Sequence, residues 1–477
     1  MSKSFYITTT LPYVNAELHM GHALEFIRAD TIARYHTLQG EDVFFNTGTD
    51  EHGSKIYKKA LELGISPETF VDNNVDKFYE SIASFGLIDD VHFVRTSDPR
   101  HIAASQALWK RVEKNGFIYK KNYQTKYCVG CESEKTDSEL VDGKCPDHGT
   151  EPELIDEENY FFKYSECGEK LLDFYEKNPN FIIPDFRYNE IKAFVKRGLQ
   201  DFSISRLKSK MPWGIEVPGD PEQVMYVWFD ALTNYVSTLG WPEETDMFTT
   251  YWKNGTPTQY CGKDNTRFQG AMWQAMLMSA GLPNSNKIVV NGFITGAGGI
   301  KMSKTIGNVV DPKKIAGEYG IDALRYFLLR EISSFEDSPF TMDRFIESYN
   351  ASLANGIGNL TSRIMKMSST HLLRTPENLE SKLLDEYTNS MQVFDIKRAM
   401  DVVFEEAKKM DEHITETEPF KLVKKDTEAG CIIISELVIR LYTVARMLEP
   451  LMPETSKKIQ ETILANKMPS QPLFERR

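Results

Sequence analysis

The chain has 477 residues, of which 41% are hydrophobic, and a formal net charge of −13 at pH 7. A chain of this length folds into about two to four domains with sizeable cores. The charge argues against a general nucleic-acid-binding protein, because neutralising phosphates requires lysine and arginine. A nucleic acid partner would need a local basic face, for which the candidates are 192–210 and 363–366; the alternative for both is ordinary solvated helix surface.

The composition also constrains the compartment. No apolar run reaches the roughly 18 residues that a membrane-spanning helix needs. The first predicted strand begins within a few residues of Met1, which leaves no room for a signal or transit peptide. Six cysteines do not form a disulfide scaffold in so long a chain. We therefore expect a soluble, cytoplasmic protein without a membrane contact.

The first strand leads into a histidine motif. The β-branched and aromatic segment 4–10 predicts a buried parallel strand, and a helical pattern runs from about 22 to 38. His19-Met20-Gly21-His22 therefore lies at a helix N-terminus, where backbone N–H groups and the helix dipole favour an anion. His19 and His22 can donate hydrogen bonds to phosphate oxygens. Gly21 lacks a Cβ and lets a purine or phosphate approach the backbone. The alternative for the motif alone is two surface histidines near a loop.

The second strand places a carboxylate at the edge of the same sheet. Residues 42–47 predict this strand, which leads to Asp50. Strands and helices alternate from Ser4 to about Asn115, as expected of a doubly wound parallel sheet that binds ligands beyond the carboxyl ends of its strands. We assign 1–115 to the first half of a nucleotide-binding domain.

The sequence pattern of 116–217 is irregular and indicates an insertion that carries a metal site. Two knuckles with zinc-like spacing occur in it, and their four candidate ligands are Cys128, Cys131, Cys145 and His148. Three thiolates and an imidazole complete a tetrahedral shell with no open position, so we expect one structural zinc ion per chain. The alternative is free thiols in a mobile loop.

The α/β pattern resumes in 218–310 and ends in a lysine-rich loop. A predicted strand at 287–295 is followed by Gly296-Ala297-Gly298-Gly299 and then by Lys301-Met302-Ser303-Lys304-Thr305. Two lysines on a glycine-flanked loop suit a clamp over a pyrophosphate leaving group, although such a stretch alone is more often a solvated turn. Together, the histidine and lysine motifs predict a site for the triphosphate of ATP. We expect 311–342 to be a linking segment and 343–477 a helical bundle.

These motifs resemble the HIGH and KMSKS signatures of class I aminoacyl-tRNA synthetases. Other segments narrow the resemblance to the methionyl-tRNA synthetase family, and it runs over essentially all 477 residues. Those segments are 11–13, 47–53, 203–206, 226–231, 262–264 and 355–363. The fold class that follows is α/β: a doubly wound parallel nucleotide-binding sheet, a zinc-containing insertion and a C-terminal α-helical bundle, the last binding the anticodon.

The resemblance implies activation of methionine by ATP to methionyl-adenylate, followed by transfer of the acyl group to tRNA. It assigns the phosphates to His19 and His22 and the pyrophosphate to Lys301 and Lys304, with Mg²⁺ accompanying ATP. Further residues implied to contact ATP are Gly21, Gly262, Asp264 and Ser303. Thr305 replaces the usual serine and keeps a hydroxyl.

The resemblance also implies an amino acid site. Asp50 matches the partner of the substrate ammonium, and Arg206 matches a residue near the carboxylate end. Either could instead be an ordinary structural ion-pair member. The thioether pocket would comprise Leu11, Tyr13, Trp228, Ala231, Leu232, Tyr235 and Gln269. The spacing of Trp228, Ala231 and Tyr235 predicts one helical face, although an apolar stripe of this kind is usually core.

Two departures from the family pattern affect the expected sites. Asn265 and Gln269 stand where well-known members carry an aliphatic residue and a histidine, so that wall of the pocket is more amide-like. In the anticodon region, Asn359 and Arg363 match the base-reading pair, one helical turn apart. Phe420 stands where a tryptophan usually stacks on a base, and its ring is smaller.

Two other functions remain open on the sequence. The first is a class I synthetase for another small apolar amino acid or cysteine, and the second is an inactive zinc-containing protein that binds tRNA. The leading hypothesis gives ATP, L-methionine and both initiator and elongator tRNA(Met) as partners. We expect a monomer.

Overall fold

The protein is described by a computed structural model that covers residues 3–15, 17–131, 133–300, 302, 310–379 and 382–477. The chain groups into two compact units. The first comprises Met1–Leu18, Glu41–Ile82 and Asp89–Val290, and the second comprises His19–Gly40, Ala83–Ile88 and Asn291–Arg477. The five-part domain division expected from the sequence stays a prediction.

A six-stranded sheet forms the centre of the first unit, among the residues described. Its spatial order is His92–Arg95, Asp42–Thr49, Ser4–Thr8, Thr256–Gly262, Lys287–Asn291 and Ile182–Ile183. Ser4–Thr8 pairs in parallel with both of its neighbours. The carboxyl ends of these strands therefore lie at one edge of the sheet, which confirms the predicted parallel α/β fold.

Helices accompany this sheet and enclose an aromatic core. The fully buried side chains of Trp109, Trp252, Trp273 and Tyr175 belong to that core. Helices lie at Ser54–Leu63, Pro67–Ser84, Pro99–Lys114, Gly168–Lys177, Asp185–Lys196, Val227–Ala231, Asn234–Ser237 and Trp273–Ala280, with π-helical turns at Phe248–Lys253 and Phe268–Met272.

The segment 116–217, which the sequence predicts to be an insertion, contains regular strands. An antiparallel sheet has the order Ser133–Lys135, Ile118–Cys128, Glu153–Phe162 and Phe202–Ser203. A second small sheet contains Glu216–Val217, Asp220–Met225 and Ser205–Leu207. The sequence pattern of this segment is irregular because the long strand Ile118–Cys128 buries only its last two residues and so lacks a clear alternation of apolar and polar positions.

The second unit is mainly helical. Its helices are Met20–Leu38, Pro312–Tyr319, Ile321–Tyr326, Met342–Ser348, Asn359–His371, Asp385–Gln392, Ile396–Thr417, Pro419–Leu422, Thr427–Leu448 and Pro453–Leu464, with π-helical turns at Phe327–Glu331 and Tyr349–Gly358. Helix Thr427–Leu448 packs against Asn359–His371, Ile396–Thr417 and Pro453–Leu464, which confirms the predicted helical C-terminal region. No helix in the described part of the chain is long and apolar enough to cross a membrane.

The strand predicted at 287–295 is interrupted. Lys287–Asn291 belongs to the central sheet, whereas Ile294–Thr295 pairs in parallel with Ser338–Pro339. Gly292 separates the two pieces, and a Cβ there would lie only 2.2 Å from the backbone carbon of Glu336. The close approach of a second backbone, which no local pattern reveals, ends the first strand.

Candidate functional site

The histidine motif begins the helix Met20–Leu38. His19 is the N-cap, and its Nδ1 accepts a hydrogen bond from the backbone N–H of Gly21 at 3.1 Å. His22 Nδ1 in turn accepts from the backbone N–H of His19 at 3.2 Å, and the two rings stack with centroids 3.8 Å apart. A Cβ on Gly21 would lie 2.9 Å from His19 Cε1, so glycine permits this stacking.

These contacts fix where each imidazole carries its proton. Burial and, secondarily, the neighbouring His19 hold the pKa of His22 well below its ordinary value, so the ring is neutral near pH 7. Because Nδ1 accepts in both rings, the proton of each neutral ring lies on Nε2. Two Nε2–H donors at a helix N-terminus suit phosphate oxygens. Lys301, Ser303, Lys304 and Thr305 lie outside the described residues.

In the first unit, the segments that follow the neighbouring strands Ser4–Thr8 and Asp42–Thr49 lie side by side. The backbone N–H of Asp50 donates to the carbonyl of Pro12 at 3.0 Å, and Tyr13 pairs with Asp50 in a parallel bridge. Asp50 is buried, as is Leu11. The segment 11–13 and the carboxylate predicted to bind the ammonium are thus adjacent.

Trp228 and Gln269 are the next two residues predicted for the methionine pocket. Trp228 stacks on Phe268 with ring centroids 3.8 Å apart, and Gln269 Nε2 donates to Thr10 Oγ1 at 3.0 Å. Two buried polar atoms here, Gln269 Oε1 and Trp228 Nε1, have no hydrogen-bond partner among the described residues. Buried polar atoms are normally satisfied, so these two indicate room for a ligand or water.

Of the remaining pocket residues, Ala231 ends the short helix Val227–Ala231, Leu232 is its C-cap, and Tyr235 lies on the short helix Asn234–Ser237. Ala231, Leu232 and Tyr235 are buried. Tyr235 faces Trp273 with centroids 5.8 Å apart. Their contact with an amino acid substrate stays a prediction.

Gly262 and Asp264 lie at the carboxyl end of strand Thr256–Gly262, next to Ser4–Thr8 in the sheet. A short 3₁₀ turn, Lys263–Asn265, follows the strand and leaves Asp264 exposed. This is the edge at which a parallel sheet binds a nucleotide.

Arg206 is buried and contacts several protein groups. Its Nη1 donates to Ser203 Oγ at 2.8 Å and to the Ser205 carbonyl at 2.7 Å. The guanidinium lies over the rings of Tyr127 and Tyr226, 4.8 and 5.3 Å from their centroids. Burial opposes its charge, but the surrounding tyrosines and Glu134 raise the pKa above the ordinary value. The structure thus gives Arg206 a structural role beside the predicted one.

The four predicted metal ligands form one cluster. The ligand atoms of Cys128, Cys131, Cys145 and His148 all lie within 4.8 Å of one another. Cys131 Sγ is 3.5 Å from Cys145 Sγ and 3.3 Å from His148 Nδ1. Zinc–sulfur bonds of about 2.3 Å in a tetrahedron imply sulfur–sulfur edges of about 3.8 Å, which these distances approach. A Cβ on Gly130 would lie 2.4 Å from His148 Cγ, so this knuckle requires glycine.

A groove in the second unit brings Arg363 and Phe420 together. It encloses about 430 Å³ and is lined by Ser362, Arg363, Lys366, Met367, Ile414, Phe420 and Met468. Arg363 forms an ion pair with Asp411, and Phe420 is 41% exposed. Asn359 is exposed one helical turn before Arg363 but does not line the groove.

Sequence reasoning missed one cluster of the first unit. Asp230 is buried between two histidines, with His52 Nδ1 at 2.6 Å and His101 Nε2 at 2.7 Å. The three residues are too far apart in the sequence for any local motif to reveal the contact. His52 and Asp230 lie in two of the segments that carry the family resemblance, 47–53 and 226–231, but the sequence does not pair them with each other or with His101.

Comparison with known proteins places these features in a class. The family model described as tRNA synthetases class I (M) matches residues 5–151 and 138–365. The methionine–tRNA ligase of Caldanaerobacter subterraneus is 40% identical over 97% of this chain and 74% of its own length. That of Brucella suis is 38% identical over 97% of this chain and 92% of its own length.

A solved structure is similar over the whole fold. The Mycobacterium tuberculosis methionyl-tRNA synthetase in complex with methionyl-adenylate is 35% identical, has a TM-score of 0.89, and the match covers 96% of this chain and 93% of that one. The chain therefore belongs to the methionyl-tRNA synthetase family.

Proposed function

We propose that the chain activates L-methionine with ATP to methionyl-adenylate and transfers the methionyl group to tRNA(Met). The observation that carries this proposal is a set of contacts at the carboxyl edge of the sheet. Tyr13 pairs with Asp50, Thr10 accepts from Gln269, and Trp228 stacks on Phe268, the neighbour of Gln269. The relative that matches this chain in both sequence and fold is described with methionyl-adenylate bound. Family and site thus support the same reaction.

Activation needs an ammonium partner, a thioether pocket and donors for the phosphates. Asp50 would pair with the substrate ammonium, while Trp228 and Tyr235 would enclose the thioether. A hydrophobic slot separates side chains that differ by one methylene by only about 1–3 kcal/mol, so polar atoms such as Gln269 add to selection.

The phosphate chemistry relies on positioning and charge rather than on covalent catalysis. His19 and His22 would donate through Nε2–H to phosphate oxygens as negative charge builds up. Lys301 and Lys304 would stabilise the departing pyrophosphate, and Ser303 would contact ATP. Mg²⁺ bound with ATP supplies further neutralising charge.

The metal cluster suits a structural zinc ion. Cys128, Cys131, Cys145 and His148 would hold it, and these four donors fill a tetrahedral shell. When bound, the ion cross-links the two knuckles and offers no open position for substrate.

The groove around Arg363 and Phe420 suits unstacked anticodon bases. A guanidinium can bond to base edges and an exposed ring can stack on a base. Asn359, one turn away, would extend the contact. A cytoplasmic monomer is part of the same proposal.

Aminoacylation of a tRNA(Met) transcript with a panel of amino acids tests the function. Methionine should exceed cysteine, isoleucine and leucine by at least about 100-fold in kcat/KM. Equal charging with cysteine or isoleucine would favour another class I synthetase. Absence of any charging or ATP consumption would favour an inactive tRNA-binding protein.

A further inference from the structure

One buried carboxylate joins three segments of the first unit. Asp230 Oδ2 lies 2.6 Å from His52 Nδ1, and Asp230 Oδ1 lies 2.7 Å from His101 Nε2. Asp230 and His101 are each 1% exposed and His52 is 5% exposed. A carboxylate so fully withdrawn from water has to be compensated, and here two imidazoles share it.

The hydrogen bonds define the protons in this cluster. Burial raises the pKa of Asp230, but His52 and His101 outweigh it and hold the pKa below the ordinary value. The ionised carboxylate only accepts, so His52 carries a proton on Nδ1 and His101 carries one on Nε2. On the other side of the ring, His101 Nδ1 lies within hydrogen-bond distance of Ser237 Oγ, at 2.9 Å. The orientation of each ring is therefore determined.

The cluster connects two sides of the proposed methionine site. His52 follows Asp50 by two residues, and Asp230 lies in helix Val227–Ala231 between Trp228 and Ala231. The Asp230–His52 bond therefore ties the loop that carries the ammonium partner to the helix that carries the thioether wall.

A second ion pair holds the same loop from the other side. Glu51, also buried, accepts from Arg95 Nε at 2.8 Å and from Arg95 Nη2 at 2.9 Å. Thr49 Oγ1 donates to Glu51 at 2.6 Å. Glu51 thus fixes the loop to its own sheet, and His52 is the residue that fixes it to the helix Val227–Ala231.

His101 completes the arrangement from helix Pro99–Lys114. It lies outside the pocket segments and matches no substrate contact of the family. Its Nε2 nevertheless bonds to the second carboxylate oxygen of Asp230, and its Nδ1 contacts Ser237. Without His101, Asp230 could rotate about its side-chain bonds and draw His52 with it. A displacement of about 1 Å in a positioned group can cost about 100-fold in rate.

We propose that His101, acting through Asp230 and His52, is a positioning residue that sets the distance between Asp50 and the wall formed by Trp228 and Ala231. The proposal rests on the function proposed above. Because the cluster supports the methionine pocket, loss of His101 should raise the KM for methionine and leave the KM for ATP nearly unchanged.

Three variants measured by ATP–pyrophosphate exchange test this role. His101→Ala should raise the KM for methionine at least about 10-fold and change the KM for ATP less than about 2-fold. His101→Gln should restore most of the affinity, because the glutamine amide can still donate to Asp230 Oδ1. Ser237→Ala, a milder change, should raise the KM for methionine by about 3-fold even if His101→Ala folds poorly.

His92 provides the matched control. It is an exposed histidine of the same unit that also has hydrogen-bond partners, with Nδ1 3.0 Å from Asn46 Oδ1 and 2.8 Å from Thr238 Oγ1. His92→Ala should lower the melting temperature without changing the KM for methionine by more than about 2-fold.

Several outcomes would overturn the proposal. One is a wild-type methionine KM in both His101→Ala and Ser237→Ala. Another is an equal rise in the KM for methionine and the KM for ATP. A third is a rise in the KM for methionine in His92→Ala as well, which would mean that the KM only follows the loss of stability. Absence of methionine-dependent exchange by the wild-type enzyme would instead reject the proposed function, and the positioning role with it.

Discussion

At the scale of single residues, the stacked histidines show how local contacts define chemistry. His19 and His22 each use Nδ1 to cap the helix, so the proton must lie on Nε2 in the neutral rings. The sequence predicted donors at a helix N-terminus, because a strand-to-helix junction is a local pattern. It could not predict the stacking, which depends on Gly21 allowing the two rings to approach.

Asp50 offers a direct test at this scale. Asp50→Asn keeps the size of the side chain and removes the charge that would pair with the substrate ammonium. We expect the KM for methionine to rise by at least about 100-fold while the KM for ATP changes little, since a buried charge-assisted pair contributes about 3–5 kcal/mol when one partner is removed. Pyrophosphate exchange measures both. Asp89→Asn, at an exposed position, is the control, and an unchanged methionine KM in Asp50→Asn would remove Asp50 from the site.

Arg363 tests the groove. Arg363→Ala should lower kcat/KM for charging of tRNA(Met) by at least about 10-fold, because one guanidinium contact to a base contributes about 1–3 kcal/mol. Exchange without tRNA should stay at the wild-type rate. Arg374, whose side chain is 78% exposed and pairs with Glu377, supplies the control substitution Arg374→Ala. Equal loss of charging in both variants would count against the groove as the base-binding surface.

At the scale of elements, the metal knuckles were predictable and the strand interruption was not. The four ligands occur as two close pairs in the sequence, so spacing alone predicts a shared ion. Residues 287–295, in contrast, form two strands because Gly292 meets the backbone of Glu336. The Asp230 cluster escaped prediction for the same reason, since its partners come from distant segments.

Removing one metal ligand should release the ion. We expect the wild-type protein to purify with one equivalent of zinc, and Cys128→Ser to lose it and to become sensitive to proteolysis in the segment 129–150. Emission spectrometry gives the metal content, and mass spectrometry locates the cleavages. Cys431→Ser, a cysteine outside the cluster, should keep one equivalent. Full occupancy in Cys128→Ser would contradict the assignment.

At the scale of the whole molecule, each unit is assembled from distant parts of the chain. In the second unit, Asp30 accepts from Arg325 Nη1 at 2.7 Å, from Arg34 Nε at 2.8 Å and from the backbone of Ile88 at 2.8 Å. Arg325 also donates to the carbonyl of Leu451 at 2.8 Å. The sequence predicted the class of fold from its periodicities, but such long-range pairs determine which segments pack together.

Breaking this pair should destabilise the helical unit. Asp30→Ala leaves the fully buried Arg325 without its carboxylate, which should cost about 3–5 kcal/mol and shift the urea transition to lower concentration. Circular dichroism is the suitable probe, because all six tryptophans lie in the first unit. Glu405→Ala breaks an exposed pair with Arg398 and should cost about 1 kcal/mol or less. Equal shifts in both variants would contradict the stated role of Asp30.

The measurement that tests the central claim most directly is methionine-dependent ATP–pyrophosphate exchange by the purified protein. The account predicts exchange that requires methionine and falls at least about 100-fold in Lys304→Ala with methionine binding nearly unchanged, whereas Lys314→Ala, in the helix Pro312–Tyr319, retains the wild-type rate. No exchange with methionine, or a full rate in Lys304→Ala, would contradict it.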